Sequence, residues 1–539
     1  MPIRPTYPGV YVEEIPSGVR PIVGVSTSVT AFIDFFPRGP VNKATQITSF
    51  GDFQRIFGGL DKRSEASYAI QQFYLNGGQL AWVVRVDSDA MKMGTAKLTL
   101  DILEIQAASP GKWASDTSRT VQVAIDHNTA DPTSQFNLVV REVENKKVLK
   151  SEIYRNLTLT KNSPRYAVDV VNAASALIKL PDNSTANGST TMPAKTGEDV
   201  ISIVNTTDSG NAYQPLSGGN DGILFDNEGQ LIAENHTIFS EALIGHETEK
   251  TGMYALDNIA PFHFNILCMP AAANLDINNY KGTYTKVKSY CEDKRAVLLV
   301  DIQKNIETVE GLLGEFFCEM DDLRSSNSVA YFPRLQIPDA LNENRPRSVG
   351  PSGTLAGIYA RTDATRGVWK APAGTDATLV GADLQLKMND QVNGNLNSLG
   401  INVLRNFPIY STVSWGARTL HGADIKASEW KYIPVRRTAL FIEQSLYEGL
   451  KWVVFEPNAE PLWAQIRLNV GAFMQTLFRQ GAFQGQSRKD AYLVKCDSET
   501  TTQNDINNGI VNIVVGFAPL KPAEFVIIQL QQMTGQIQV

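Results

Sequence analysis

The sequence predicts an α/β (α+β) multidomain protein, with a discontinuous α/β core built from the N- and C-terminal halves, an inserted β-rich outer domain and extended terminal strand arms. Three observations predict it. Strand-like and helix-like apolar runs alternate early in the chain and again in its second half. A polar, loop-rich stretch separates those two regions. Short β-prone runs lie near both termini. At 539 residues the chain exceeds what one hydrophobic core supports. Its 43% hydrophobic and 19% charged residues are an ordinary globular balance.

Residues 7–15 are β-prone, but Pro5, Pro8 and Pro16 bracket and break the run. Proline fixes φ and has no N–H to donate, so this segment reads as an extended arm, not a central strand. Residues 22–36, dense in Val23, Val25, Val29, Phe32 and Ile33, read as a buried strand that ends at the turn Pro37-Arg38-Gly39-Pro40. Phe50, Phe53, Ile56 and Phe57 recur at helical spacing over 49–57 and stop at Gly58-Gly59. A second helix over 64–75 stops at Asn76-Gly77-Gly78, and 81–86 reads as a strand. This strand, helix, helix, strand order is the rhythm of an α/β layer.

From about 95 to 226 the pattern changes to alternating strands, at 120–125 and 136–142, with a Ser/Thr/Asn/Gly-rich stretch between 180 and 222. An inserted surface domain follows from that composition. Core-like strands return at 264–267 and 296–300. Two amphipathic helices read at 436–451 and 460–480, the second striped by Leu462, Trp463, Ile466, Val470, Phe473, Met474, Leu477 and Phe478. β-prone segments follow at 492–496, 510–518 and 524–530. The implied division is an arm at 1–20, core at 21–95, insert at 96–225, core at 226–390, a C-terminal domain at 391–520, and a strand arm with a polar tail at 521–539.

A formal net charge of -7 argues against a surface that neutralises nucleic-acid phosphates. No run reaches the roughly 18 apolar residues of a membrane span, and no apolar leader follows the first charges, so a soluble cytoplasmic product is expected. Cys268, Cys291, Cys318 and Cys496 are widely spaced and read as reduced, buried thiols. Gly350-Pro351-Ser352-Gly353 lacks the spacing of a nucleophile elbow and reads as a turn. His246-Glu247 lacks the second histidine of a zinc-protease helix, because Lys250 stands there. The five histidines are scattered. No catalytic, cofactor-binding or metal-ligating residue is singled out, although abundant carboxylates leave an acidic pair open. The basic residues Arg467, Arg479, Arg488 and Lys489, in or just after the second amphipathic helix, mark either a solvated face or a docking face.

Several motifs in order resemble the phage tail sheath family. They include Pro8-Gly9-Val10-Tyr11-Val12-Glu13-Glu14, Arg38-Gly39-Pro40, Phe73-Tyr74-Leu75-Asn76-Gly77-Gly78, Tyr331-Phe332-Pro333-Arg334 and Trp415-Gly416-Ala417-Arg418-Thr419-Leu420. Phe455-Glu456-Pro457-Asn458 and Pro522-Ala523-Glu524-Phe525-Val526 continue the series. The likeness spans nearly the whole chain and is weakest over 95–225. It implies a structural subunit, without cofactor or catalysis, that polymerises helically around an inner tube and contracts to drive the tube through a target envelope. Its implied partners are further copies, the inner tube protein, and baseplate and terminal cap proteins, with neither nucleic acid nor membrane insertion. Assembly in the cytoplasm is implied, with a final place in a phage tail, an extracellular particle or an intracellular contractile apparatus. Tyr7, Val10, Tyr11, Val12 and Ile15, with Phe525, Val526, Ile527 and Ile528, are the implied inter-subunit strand arms. Arg467, Arg479, Arg488 and Lys489 then become the residues expected to face the tube. The alternatives are a hydrolase on the α/β core and a static shell or adhesin protein.

Overall fold

Strand β1 (Thr30–Asp34) is buried at every residue. Successive strand side chains point to opposite faces, so Ala31 and Ile33 enter one apolar layer and Phe32 the other. A strand buried on both faces needs covered neighbours, and it has them. The computed structural model describes residues 20–181, 192–206, 210–316 and 321–529. In it β1 is joined by β2 (Thr45–Ile47), β3 (Ala81–Arg85), β4 (Ile266–Cys268), β5 (Val297–Val300), β6 (Ser328–Phe332), β7 (Asn402–Phe407) and β8 (Ser411–Ser414). They form an eight-stranded sheet of order β8-β7-β6-β5-β4-β1-β3-β2. The inner strands from β7 to β3 are parallel, and β8 and β2 close the two edges antiparallel. Thr30 is in register with Ile266 on one side and Ala81 on the other, so distant parts of the chain complete one sheet around β1.

Helices cover both faces, as a parallel sheet requires. On one side lie α1 (Phe50–Phe57), α2 (Glu65–Leu75) and, from far along the chain, Ser352–Arg366. On the other lie α3 (His236–Ile244) and α4 (Ile277–Asp293), which bring in Phe239, Leu243, Tyr280, Tyr284 and Val287. The Ser352–Arg366 helix is α5. It lies directly on α2 because its contact residues are glycines: a Cβ on Gly353 would stand 2.2 Å from the Ala69 carbonyl oxygen. Ser49 starts α1 by accepting the Asp52 N–H, and Gly58, at φ 101°, ends it.

Two buried carboxylates at strand ends hold the starts of two of these helices. Asp34 closes β1 and accepts from the Ser64 hydroxyl at 2.9 Å and the Ala66 N–H at 2.8 Å. Asp301, just past β5, accepts from the Ser352 N–H at 2.9 Å and from its hydroxyl. Gly350-Pro351-Ser352 is therefore more than a turn, since Ser352 opens α5 with its hydroxyl committed to Asp301. Burial pushes the Asp34 carboxyl up to about 7 and that of Asp301 up to about 6, against the bonds that favour their ionised forms.

Residues between 94 and 222 leave the core through a neck where Gly94 and Asn220 exchange backbone bonds at 3.0 and 3.2 Å. Arg119–Asp126, Phe136–Glu144 and Lys147–Leu157 form an antiparallel sheet there, over a separate core that includes Trp113, Leu138 and Val168. Helices α6 (Ile433–Gly449) and α7 (Glu460–Arg479) pack with a hairpin of Tyr492–Lys495 and Val514–Phe517 in a further core. The strand expected over 22–36 is shorter than its composition suggests. Its first residues join this last core instead: Ile22 packs with Leu462, Trp463 and Ile466, while Val23 is exposed. Cys268, Cys291 and Cys496 are buried free thiols. Cys318 lies outside the described residues. Among the described residues no helix is long and apolar enough to cross a membrane.

Asp34 gives a pH test. Its folded value, about 7, stands above the ordinary 3.8, so its contribution is whole below about 3.8 and is lost as pH rises to 7. Asp34→Asn is expected to gain on the wild type by roughly 2 kcal/mol in denaturant titrations as pH rises from 5 to 7.5, following 1.36 kcal/mol per unit of pKa. A constant difference across that range would contradict it.

Candidate assembly site

A doubly wound sheet keeps its ligand crevice where the strand order reverses, here between β1 and β4. A cleft of about 950 Å3 opens at those strand ends, between Arg63, Glu65, Asp276, Lys304 and Arg347. Much of its charge is paired within the wall, with Arg63 on Asp61 and Asp221 and Arg347 on Glu65. Among the described residues no group of three or more His, Cys, Asp or Glu side chains is disposed to hold a metal ion. The unsatisfied chemistry of this chain lies elsewhere, on the C-terminal α6–α7 unit, where both ends of the described chain are rooted.

The N-terminal root is held by backbone bonds and packing. The Arg20 N–H donates to Asn469 Oδ1 at 3.3 Å, and its guanidinium lies 4.7 Å from the centre of the Trp452 ring. Gly449 is required beneath Ile22, because a Cβ there would come within 2.6 Å of it. The Val25 N–H donates to Ser445 Oγ at 3.2 Å. Arg437, buried on α6, donates to the Thr27 carbonyl at 2.9 Å and grips Asp363 of α5 with two bonds of 2.8 and 2.6 Å. Burial opposes the Arg437 charge, but Asp363 outweighs it and holds the pKa above its ordinary value.

At the other root the Ala518 N–H donates to the Ala491 carbonyl at 2.8 Å, continuing the hairpin. Six residues on, Glu524 receives Arg418 side-on, Nε to Oε1 and Nη2 to Oε2, both at 2.7 Å. The Tyr432 hydroxyl donates to Oε2 at 3.1 Å, and Arg418 also reaches Asp424 at 3.0 Å. The Arg418 side chain is 1% exposed. Burial alone would raise the Glu524 pKa, yet the Arg418 bonds and charge hold it below the ordinary range. Beyond this clamp Phe525, Val526, Ile527 and Ile528 are 74%, 81%, 84% and 78% exposed. Among the described residues no strand of the chain pairs with them. The neighbouring hairpin has two strands, and among the described residues its outer edges pair with no further strand. Leu493 and Val514 on it are each about half exposed.

Tyr7, Val10, Tyr11, Val12 and Ile15 lie outside the described residues. The four basic residues do not form one patch. Arg467 is engaged by Glu460 at 2.5 Å and by the Cys496 carbonyl. Arg488 stacks on Tyr492 at 5.4 Å, and both it and Arg479 act on that phenol electrostatically. Lys489 is exposed beside them. Arg418 and Glu524 fall inside the motifs noted above and Arg437 and Asp363 outside them, and nothing in the spacing of either couple signals that they pair. Glu524→Ala leaves Arg418 buried with the more exposed Asp424 as its one carboxylate and the Asn397 carbonyl beside it. It is expected to cost about 3 kcal/mol, the scale of a broken buried pair, and to speed hydrogen exchange at the Ala518 amide, which is bonded to the Ala491 carbonyl. Unchanged exchange there would show that the clamp does not hold the root.

Residues 426–533 match the phage tail sheath C-terminal domain family. A protein named as a prophage major tail sheath protein of Pseudomonas aeruginosa (strain UCBPP-PA14) is 25% identical over 307 residues, 55% of this chain and 73% of that protein. Among solved structures, the helical sheath of the anti-feeding prophage in its contracted state shares the fold over 98% of this chain and 99% of that chain, at a TM-score of 0.56 and 21% identity. The contracted sheath of the PVC extracellular contractile injection system covers 98% of each chain, at a TM-score of 0.55 and 19% identity. The sheath tail protein of Listeria innocua covers 93% of this chain and 96% of that chain, at a TM-score of 0.57 and 12% identity. The chain thus carries a phage tail sheath C-terminal domain over α6, α7 and the hairpin, and over nearly its whole length it is similar in fold to solved sheath proteins.

Proposed function

We propose that this chain is the subunit of a contractile sheath, polymerising helically around an inner tube through its terminal arms. One observation carries the reading: a run of four exposed apolar residues, 525–528, leaves the body beside a hairpin with open edges. Exposed sheet edges capture foreign strands through main-chain bonds, and side chains on alternate residues fix the register. An arm from one copy that pairs with the hairpin of the next makes a head-to-tail contact, which yields a helix wherever it does not close. Residues 7–15, which their prolines lead one to expect extended, are assigned the matching part at the other terminus.

Contraction in this reading draws on no fuel. The extended polymer is a kinetic trap, and bodies rotate to bury more mutual surface while the paired arms stay joined. The clamps at Glu524 and Arg437 fix where each arm leaves its body, so movement falls on the residues beyond them. The β-rich insert, joined by a narrow neck, is assigned the outside of the cylinder, and the C-terminal unit the inside. Arg479, Arg488 and Lys489 are assigned to tube contact; Arg467, tied to Glu460, contributes less. Baseplate and terminal cap proteins would take the end copies.

Removing residues 1–16 is expected to leave thermal unfolding of the monomer nearly unchanged and to abolish the hollow, ridged tubes that this reading expects of the full chain by negative-stain microscopy. Tubes that assemble and contract normally from the truncated chain would contradict the woven-arm mechanism. A double charge reversal, Arg479→Glu with Arg488→Glu, is expected to weaken co-assembly with the tube protein while sparing sheath-only polymers, and added salt should weaken the remaining wild-type attraction. Equal tube binding by variant and wild type would return these arginines to a solvated face.

A further inference from the structure

Between α6 and α7 the chain makes a tight turn whose residues do not suit a free surface. The Glu456 N–H donates to the Val453 carbonyl at 3.1 Å, Val454 has φ -66° and ψ 129°, and Phe455 has φ 70°. These are the angles of a type II turn with Phe455 in the position that requires positive φ and favours glycine. A phenylalanine there destabilises the monomer through its backbone, because Cβ crowds the neighbouring carbonyl. Nor does its side chain compensate by burial: Phe455 is fully exposed at 103%, and Val454 is 63% exposed. A residue unfavourable on both counts in the isolated chain points to a contact made with another molecule.

The surroundings indicate which molecule. Trp452, three residues earlier, carries the stacked Arg20, so the N-terminal arm leaves the body beside this turn. The nineteen residues before Arg20 reach up to about 65 Å at roughly 3.5 Å each. Whatever receives that arm is drawn against the surface at its exit. Of the basic residues assigned to the tube, Arg479 ends α7, a helix of 20 residues and so about 30 Å long, and Arg488 lies against its middle, at Gly471. The geometry points to Val454 and Phe455 as an apolar anchor that seats on a second copy of this chain, next to the arm exit. This rests on the sheath reading, since it takes the arm's receiver to be another copy. A protruding aromatic flanked by polar residues, here Lys451 and Glu456, has the form of an interface hot spot with its rim.

The test pairs a stability measurement with an assembly measurement on the full chain. Phe455→Gly removes the anchor and relieves the turn, so monomer thermal unfolding should hold or rise while the concentration needed for tubes, read by sedimentation, rises at least tenfold. Phe455→Leu should recover most of the assembly. A photo-crosslinking benzophenone amino acid in place of Phe455, in tubes assembled with the tube protein, should give adducts of two copies of this chain. Normal tube formation by Phe455→Gly, or adducts with the tube protein alone, would overturn the anchor while leaving the sheath reading intact. Failure of the wild type to form any polymer would instead overturn the sheath reading, and the anchor with it.

Discussion

Backbone N–H and C=O groups must be paired or hydrated, and this requirement governs the arrangement of the chain more than any side chain does. Within the eight-stranded sheet every inner strand is paired on both sides, and β3, β1, β4, β5 and β6 are buried at every residue. On the C-terminal unit the same rule is left incomplete, by a hairpin with open edges and by apolar residues 525–528 held away from the body. A two-stranded sheet is marginal by itself and gains stability from further strands. Each added main-chain bond contributes only on the order of 1 kcal/mol, but a run of them acts together. Self-assembly in the proposed polymer follows from completing that sheet.

The buried ion pairs serve this arrangement by fixing positions. Arg437 with Asp363 ties α6 to α5 and reaches the chain at Thr27, and Arg418 with Glu524 holds the other root. Buried pairs add little net stability over apolar packing, but breaking one partner is expensive. Their use here is geometric: each arm departs from one defined point. Asp34 and Asp301 do comparable work inside the core, setting α2 and α5 on the ends of β1 and β5.

Much of the fold was legible in the sequence, for particular reasons. α1 and α2 announce themselves through apolar spacing and the glycines after them, and the structure adds Ser49 and Ser64 as their caps. The stripe from Leu462 to Phe478 gives α7. The extent of β1 differs because β-branched density cannot distinguish a sheet strand from an extended segment: Ile22 packs against α6 and α7, and the Val25 N–H bonds Ser445 of α6. Of the candidate site, residues 524–530 were legible as a β-prone segment after a proline-bearing joint, and the resemblance alone implied an arm there. The clamps were not. Arg418 and Glu524 lie 106 positions apart, and nothing local marks one as the partner of the other. The turn at Phe455 was equally hidden, because phenylalanine at positive φ contradicts the propensity by which turns are read.

The most direct measurement is a helical reconstruction of assembled particles at a resolution that traces strands through the C-terminal unit. The account predicts that the hairpin Tyr492–Lys495 with Val514–Phe517 gains strands on its open edges, and that residues 525–528 of one copy are among them, bonded through main chain to another copy. A lattice in which that hairpin remains two-stranded, with 525–528 unpaired or folded back on their own subunit, would contradict it.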